Sequence, residues 1–187
     1  LNRNAEITYY ENLRNQINED KRLINGEIGH NKRNKDQFEY ASQIIERGDR
    51  TKMDTLGKII NVLTNYSDFD KEGNIYETLV NSGEIKLLKN KEIVIRLRTL
   101  EEKYNYMNRM ENIHYDVVGS YVIPATNAIV NFYDQKIENP EPVFNFQFRN
   151  LIGQLIMIMN EKEGTYQSTI SEIDAIIELI DIELTSN

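Results

Sequence analysis

Both histidines of the chain stand three residues after a glutamate: Glu27 with His30, and Glu111 with His114. On a helix that spacing puts carboxylate and imidazole on one face. Two helices of a di-iron or di-manganese carboxylate bundle each contribute such a pair, so two copies in a helical chain raise a di-metal site. The surroundings divide the pairs. Glu111 and His114 fall on an apolar stripe, whereas His30 is followed by Asn31, Lys32 and Arg33, a setting from which water is costly to remove. The two remaining helices would each have to supply a carboxylate, and the short second helix offers only Asp54. The plainer reading is one seam histidine paired with a carboxylate and one surface histidine. No metal is favoured and no cofactor is implied.

A second pattern lies at Asp68 to Leu79. Asp68, Asp70, Glu72, Gly73 and Ile75 match loop positions one, three, five, six and eight of a calcium EF-hand. The twelfth position should carry a bidentate Glu and carries Leu79 instead, which removes two of the oxygens the ion needs. An acidic turn before a capped helix is the plainer reading. Among the 11 Tyr, residues Tyr104, Tyr106, Tyr115 and Tyr121 share one helical stretch. They are candidates for a ligand cleft or a partner surface, since tyrosine buries area while keeping a polar tip. The plainer expectation puts Tyr104 and Tyr121 in the core and the others at its edge.

The rest of the composition narrows the chemistry further. There is no Cys, which excludes disulfides, thiolate zinc sites and cysteine nucleophiles. Neither a Gly-rich phosphate loop nor a nucleophile elbow is present. The net charge of -8 repels polyphosphate and argues against nucleic-acid binding. The basic run Lys32, Arg33, Lys35 is diluted by Asp36 and Glu39 and reads as a solvated face. The expectation is a chain that binds rather than catalyses.

Helices must position all of these groups. From Ala5 to about Arg47, apolar residues Ile7, Tyr10, Leu13, Ile17, Ile24, Ile28, Phe38, Ala41 and Ile45 recur at helical spacing. The stripe weakens over 29–37, yet no Pro intervenes and one long helix capped by Gly48 is expected. A shorter helix is expected over about 52–65. Asn74 and Glu77 form a capping pair for a brief helix, interrupted at Ser82-Gly83 and followed by a turn at EIKLL. A long helix from near Asn90 carries Ile93, Leu97, Leu100, Tyr104, Met107, His114, Val118 and Tyr121, close to a 3.5 repeat. Pro124 should kink or end it, with helix resuming over 129–133. The linker ENPEP, with Pro140 and Pro142, breaks the chain. A final helix over about 145–184 is expected to face inward through Phe148, Leu151, Leu155, Ile158, Thr169, Ile173, Ile176 and Ile180. The predicted fold is all-α: an elongated antiparallel bundle of three long helices plus shorter ones, forming a single domain over 1–187.

Several segments together resemble a known family. They are YYENLRNQINEDKRLI (Tyr9 to Ile24), IYETLVNSGEIKLLKNKEI (Ile75 to Ile93), YVIP around Pro124, FRNLI (Phe148 to Ile152) and IIELIDIEL (Ile176 to Leu184). SG-x-I-K-L-L-K-N-K-E, from Ser82, is the most specific of the motifs. The set resembles an uncharacterised family of Bacteroidota proteins, defined only as a domain of unknown function. Members carry a short basic N-terminus, one membrane helix and then a helical domain. The resemblance implies a membrane anchor ahead of Leu1, where no initiator Met stands. It also implies a domain on the periplasmic side of the inner membrane, because the basic flank stays in the cytoplasm. The family offers no activity and no catalytic residues to carry over.

The expected function is therefore scaffolding or protein–protein recognition in the bacterial cell envelope, with homodimerisation through the long helices as a further expectation. The alternative is a sensing bundle that admits a small molecule near the Pro124 kink, where Glu111, His114 and Tyr121 would supply polar contacts. A di-metal carboxylate protein is the remote alternative.

Overall fold

The computed structural model describes residues 3–69 and 75–186. The chain is 84% helical, as the sequence predicts. Helix α1 (Arg3–Arg47) is continuous. It ends where Gly48, at φ 61°, lets its own N–H reach the Ile45 carbonyl and the Asp49 N–H reach the Ile44 carbonyl, each at 3.1 Å. These two bonds are the glycine stop that satisfies the last helical carbonyls. Then follow α2 (Met53–Asn61), α3 (Ile75–Ser82), α4 (Lys91–Val117), a π-helical turn (Val118–Val122), α5 (Ile123–Asn127) and a two-stranded hairpin, β1 (Val130–Asn131) and β2 (Lys136–Ile137). The chain closes with α6 (Phe146–Thr185). Asn74, the expected cap of α3, lies outside the described residues, as do Asp70, Glu72 and Gly73.

The chain divides into two compact units. The first comprises residues 1–27, 69–108 and 164–187. Its core holds Tyr10, Leu13, Ile17, Ile24, Leu97, Leu100, Tyr104, Ile173, Ile176 and Ile180, all buried. Pairs Arg14–Asp181 at 2.8 Å and Lys21–Asp174 at 2.5 Å join α1 to α6. Each pair advances seven residues on one helix and retreats seven on the other, so the two helices run antiparallel here. Asn90 caps α4 by accepting from the N–H groups of Glu92 and Ile93 and donates to Glu183 at 2.7 Å. Tyr104 donates to Asp20 at 2.7 Å. Burial and this carboxylate together push the phenol well above its ordinary range.

The second unit comprises residues 28–68 and 109–163. Phe38, Ala41, Leu56, Ile60, Leu63, Val122, Val143, Ile152, Leu155 and Met159 lie in its apolar core. The hairpin corrects the expectation of helix over 129–133. Asn131 accepts from the Tyr133 N–H at 3.0 Å and Asp134 from the Lys136 N–H at 3.1 Å. These local side-chain bonds favour a turn over continued helix. Ile129, at the end of the turn, and Val130, the first residue of β1, are then both buried in the core. Gly57 of α2 sets how closely the hairpin lies, because a Cβ there would fall 2.4 Å from the Gln135 carbonyl oxygen. Gly57→Ala should therefore destabilise the protein by about 1–3 kcal/mol through overpacking, although alanine is the better helix former by about 1 kcal/mol. Urea unfolding measures the sign, and a stability gain would contradict the contact.

Three expected core positions are corrected. Along α6 the buried residues are Ile152 and Met159, while Leu151 and Ile158 are half-buried. On the third element the buried residue is Val122, and Tyr121 is 63% exposed. The π-helical turn explains the last shift. It inserts one extra residue into the helical path, so the inward position that a regular repeat gives to Tyr121 passes to Val122. Pro124 lies in the first turn of α5, where its missing N–H is best tolerated.

Candidate functional site

The polar centre of the second unit is built by continuing the heptad of each long helix. On α6 buried Phe148, Ile152, Leu155, Met159, Lys162, Tyr166, Thr169, Ile173, Ile176 and Ile180 alternate steps of four and three, with Thr165 buried beside them. That alternation is the seam of a left-handed bundle, and Lys162 occupies a place where an apolar residue is the norm. On α4 the same rule runs Ile93, Leu97, Leu100, Tyr104, Met107, Glu111, His114 and Val118. On α1 it passes through Asn31 and Asn34 before Phe38, Ala41 and Ile45. The polar stretch over 29–37 therefore also turns two side chains inward.

Lys162 is 1% exposed and His114 is fully buried. The Lys162 ammonium donates to the Ser67 carbonyl at 2.6 Å and to His114 Nδ1 at 3.1 Å. An ammonium has no acceptor capacity, so Nδ1 must offer its lone pair and the ring proton sits on Nε2. Among the described residues no hydrogen-bond partner reaches His114 Nε2. Burial first, and the neighbouring Lys162 charge second, pull the imidazole down to about 3. The ring is thus neutral throughout the physiological range. Tyr66 covers this pair, its ring centroid 5.8 Å from both the His114 ring and Lys162 Nζ. Asn31 adds a bond from its amide to the Met159 carbonyl at 2.9 Å. Glu111 is 1% exposed on the same seam.

Of the ligand candidates expected from the sequence, Glu111 and His114 both turn inward and Tyr121 does not join them. Of the metal candidates, Glu27 and His30 are half-buried. No group of three or more metal-ligating side chains stands together among the described residues, so the second pair completes no di-metal set with the first. In the EF-hand pattern Asp68 is exposed, and Leu79, at the position of the bidentate ligand, is a core residue. Lys162 escaped sequence reasoning, which assigns lysine to the solvated face. The signal that finds it is spacing: three residues from Met159 and four before Tyr166.

The outer side of this polar centre opens into a cleft of about 450 Å³ lined by Thr64, Tyr66, Tyr115, Asp116, Val118, Gly119, Ser120 and Ile123. Tyr66 and Tyr115 meet edge to face at 5.8 Å and 66°. Glu111, His114 and Tyr121 do not line it. The cleft follows from the π-helical turn, since Ile123 N–H bonds Val118 five residues back and Pro124 brings no N–H at all.

Chemically, the buried centre is a positioning device. His114 and Lys162 are both shut from solvent. A polar group at one seam position costs stability and fixes which residues face each other. No helix of the described residues is long and apolar enough to cross a membrane. Comparison with known families, curated proteins and solved structures finds no match.

Proposed function

We propose that this chain is the extracytoplasmic helical domain of a membrane-anchored envelope protein and acts by binding a protein partner, not by catalysis. The observation that carries this reading is the tip of the hairpin. Phe132 is 44% exposed and Tyr133 is 102% exposed, two adjacent aromatics on a turn fixed by Asn131, Asp134 and the Gly57 contact. Displaying two rings in water on a rigid support costs solvation for no internal gain, and aromatic anchors are what protein interfaces bury at their centres. The net charge of -8 favours a protein partner over the anionic surface of a bilayer. Anchor and periplasmic location rest on the family resemblance.

Photo-crosslinking from position 133 in the full-length, membrane-anchored protein tests this reading. A discrete envelope protein should be captured from position 133 and not from the exposed control position Glu161. Tyr133→Ser should weaken capture by about tenfold or more while leaving stability within about 0.5 kcal/mol. Capture that is equal from both positions, or absent, would refute it. A second reading, small-molecule sensing beside the Pro124 kink, is favoured by the cleft at the π-helical turn, whose volume lies within the usual range of ligand sites.

A further inference from the structure

We infer that the cleft at the π-helical turn is a binding site for a small organic ammonium, an inference that rests on the sensing reading and names its ligand class. The walls are Tyr66 and Tyr115, set edge to face at 66°. Such a corner offers a cation one ring face and one side wall, the elements from which aromatic recognition of quaternary ammonium is assembled. Asp116 stands in the same cleft. Among the described residues it forms no ion pair, so its charge is open to a ligand.

The other polar lining groups can accept as well: Thr64 and Ser120 bring hydroxyls, which both donate and accept. No Lys, Arg or His lines the cleft. Lys162 lies behind Tyr66 and is committed to Ser67 and His114. Burial first, and then the carboxylates of Asp68 and Glu111, push the Tyr66 phenol upward, as negative neighbours do. An anion would face the Asp116 carboxylate with no Lys, Arg or His to offset it, and a neutral apolar ligand would leave Asp116 unused.

Choline and its neutral isostere 3,3-dimethylbutan-1-ol distinguish these cases, titrated into the whole chain at constant ionic strength and followed by amide NMR. Choline should shift Tyr66, Tyr115, Asp116 and Gly119 saturably. The isostere should bind at least about tenfold more weakly, and Tyr115→Leu and Asp116→Asn should each weaken choline about threefold to tenfold. Both side chains are exposed, so wild-type melting is expected of both variants and verifies their fold. Equal binding of choline and the isostere would overturn the ammonium assignment while leaving a ligand site. No saturable shift with either compound up to a concentration on the order of 0.1 M would overturn the assignment and the sensing reading together.

Discussion

Lys162→Met should cost roughly 3 kcal/mol of folding stability, although it keeps nearly the whole volume of the side chain. Methionine fills the same channel between α4 and α6, so the cavity contribution is small. What disappears is the ammonium that donates to Ser67 at 2.6 Å and to His114 Nδ1 at 3.1 Å. Each buried acceptor left without a donor costs about 1–3 kcal/mol. The loss should be non-additive. In the variant that also carries His114→Leu and Glu111→Leu, the α4 and α6 sides of the layer lose their charged and imidazole groups together and part of the penalty should be recovered, because replacing a whole buried polar group often restores or raises stability. The interaction energy between positions 114 and 162 should lie within about 0.5–3 kcal/mol. Urea unfolding of the single and combined variants measures it. A loss below about 1 kcal/mol for Lys162→Met would mean that the amine is solvated and the layer is open.

Stability should fall steadily as pH drops below about 6.5, well before the carboxylates titrate. His114 carries its proton at about 6.5 in the unfolded chain and only near 3 in the folded one. Between those values the unfolded state binds one more proton, so acidification favours unfolding. The contribution is complete well above pH 6.5 and is lost toward pH 3. The slope approaches about 1.4 kcal/mol per pH unit, or roughly 2 kcal/mol between pH 6.5 and 4.5. The groups facing the ring are Lys162 on α6 and Tyr66 from the segment after α2; Glu111 is buried one turn earlier on α4, and α1 presents the uncharged Asn31 and Asn34 to the same seam. His114→Gln should flatten the slope in that window. Glu6 acts only lower down: its carboxylate is buried, which alone would raise its pKa, but Lys89 at 3.0 Å and Arg3 at 3.2 Å hold it below the ordinary range. A wild-type stability constant from pH 7 to 4.5 would contradict a closed, neutral imidazole.

Much of this architecture is legible without coordinates because it is written in local spacing. The Gly48 stop, the start of α4 near Asn90 and the inward stripes of α1 and α4 follow from residues within a turn or two of each other. The failures share a cause in non-local packing. Tyr121 loses its inward place because a π-helical turn adds a residue, and nothing in VGSYV fixes that turn except the Pro124 that follows. The hairpin over 130–137 depends on Gly57, more than seventy positions earlier, admitting the Gln135 carbonyl. Ile152 and Met159 displace Leu151 and Ile158 because an apolar run offers several faces and only the partner helices choose one. Within the site, Glu111 and His114 were readable from the stripe. Lys162 was not, since a charged residue enters a seam only where other elements supply its acceptors. The aromatic corner of Tyr66 and Tyr115 joins a loop to a helix and has no sequence signature.

The most direct test of the buried layer is the ring nitrogen spectrum of His114 in the intact protein, assigned with His114→Gln. With Lys162 bonded to Nδ1 and the layer closed, the ring should remain neutral from pH 7 to below 4.5, with its proton on Nε2. A ring that titrates near 6.5 with mixed tautomers would show that Lys162 does not hold it and that the heptad seams do not converge on a closed polar layer.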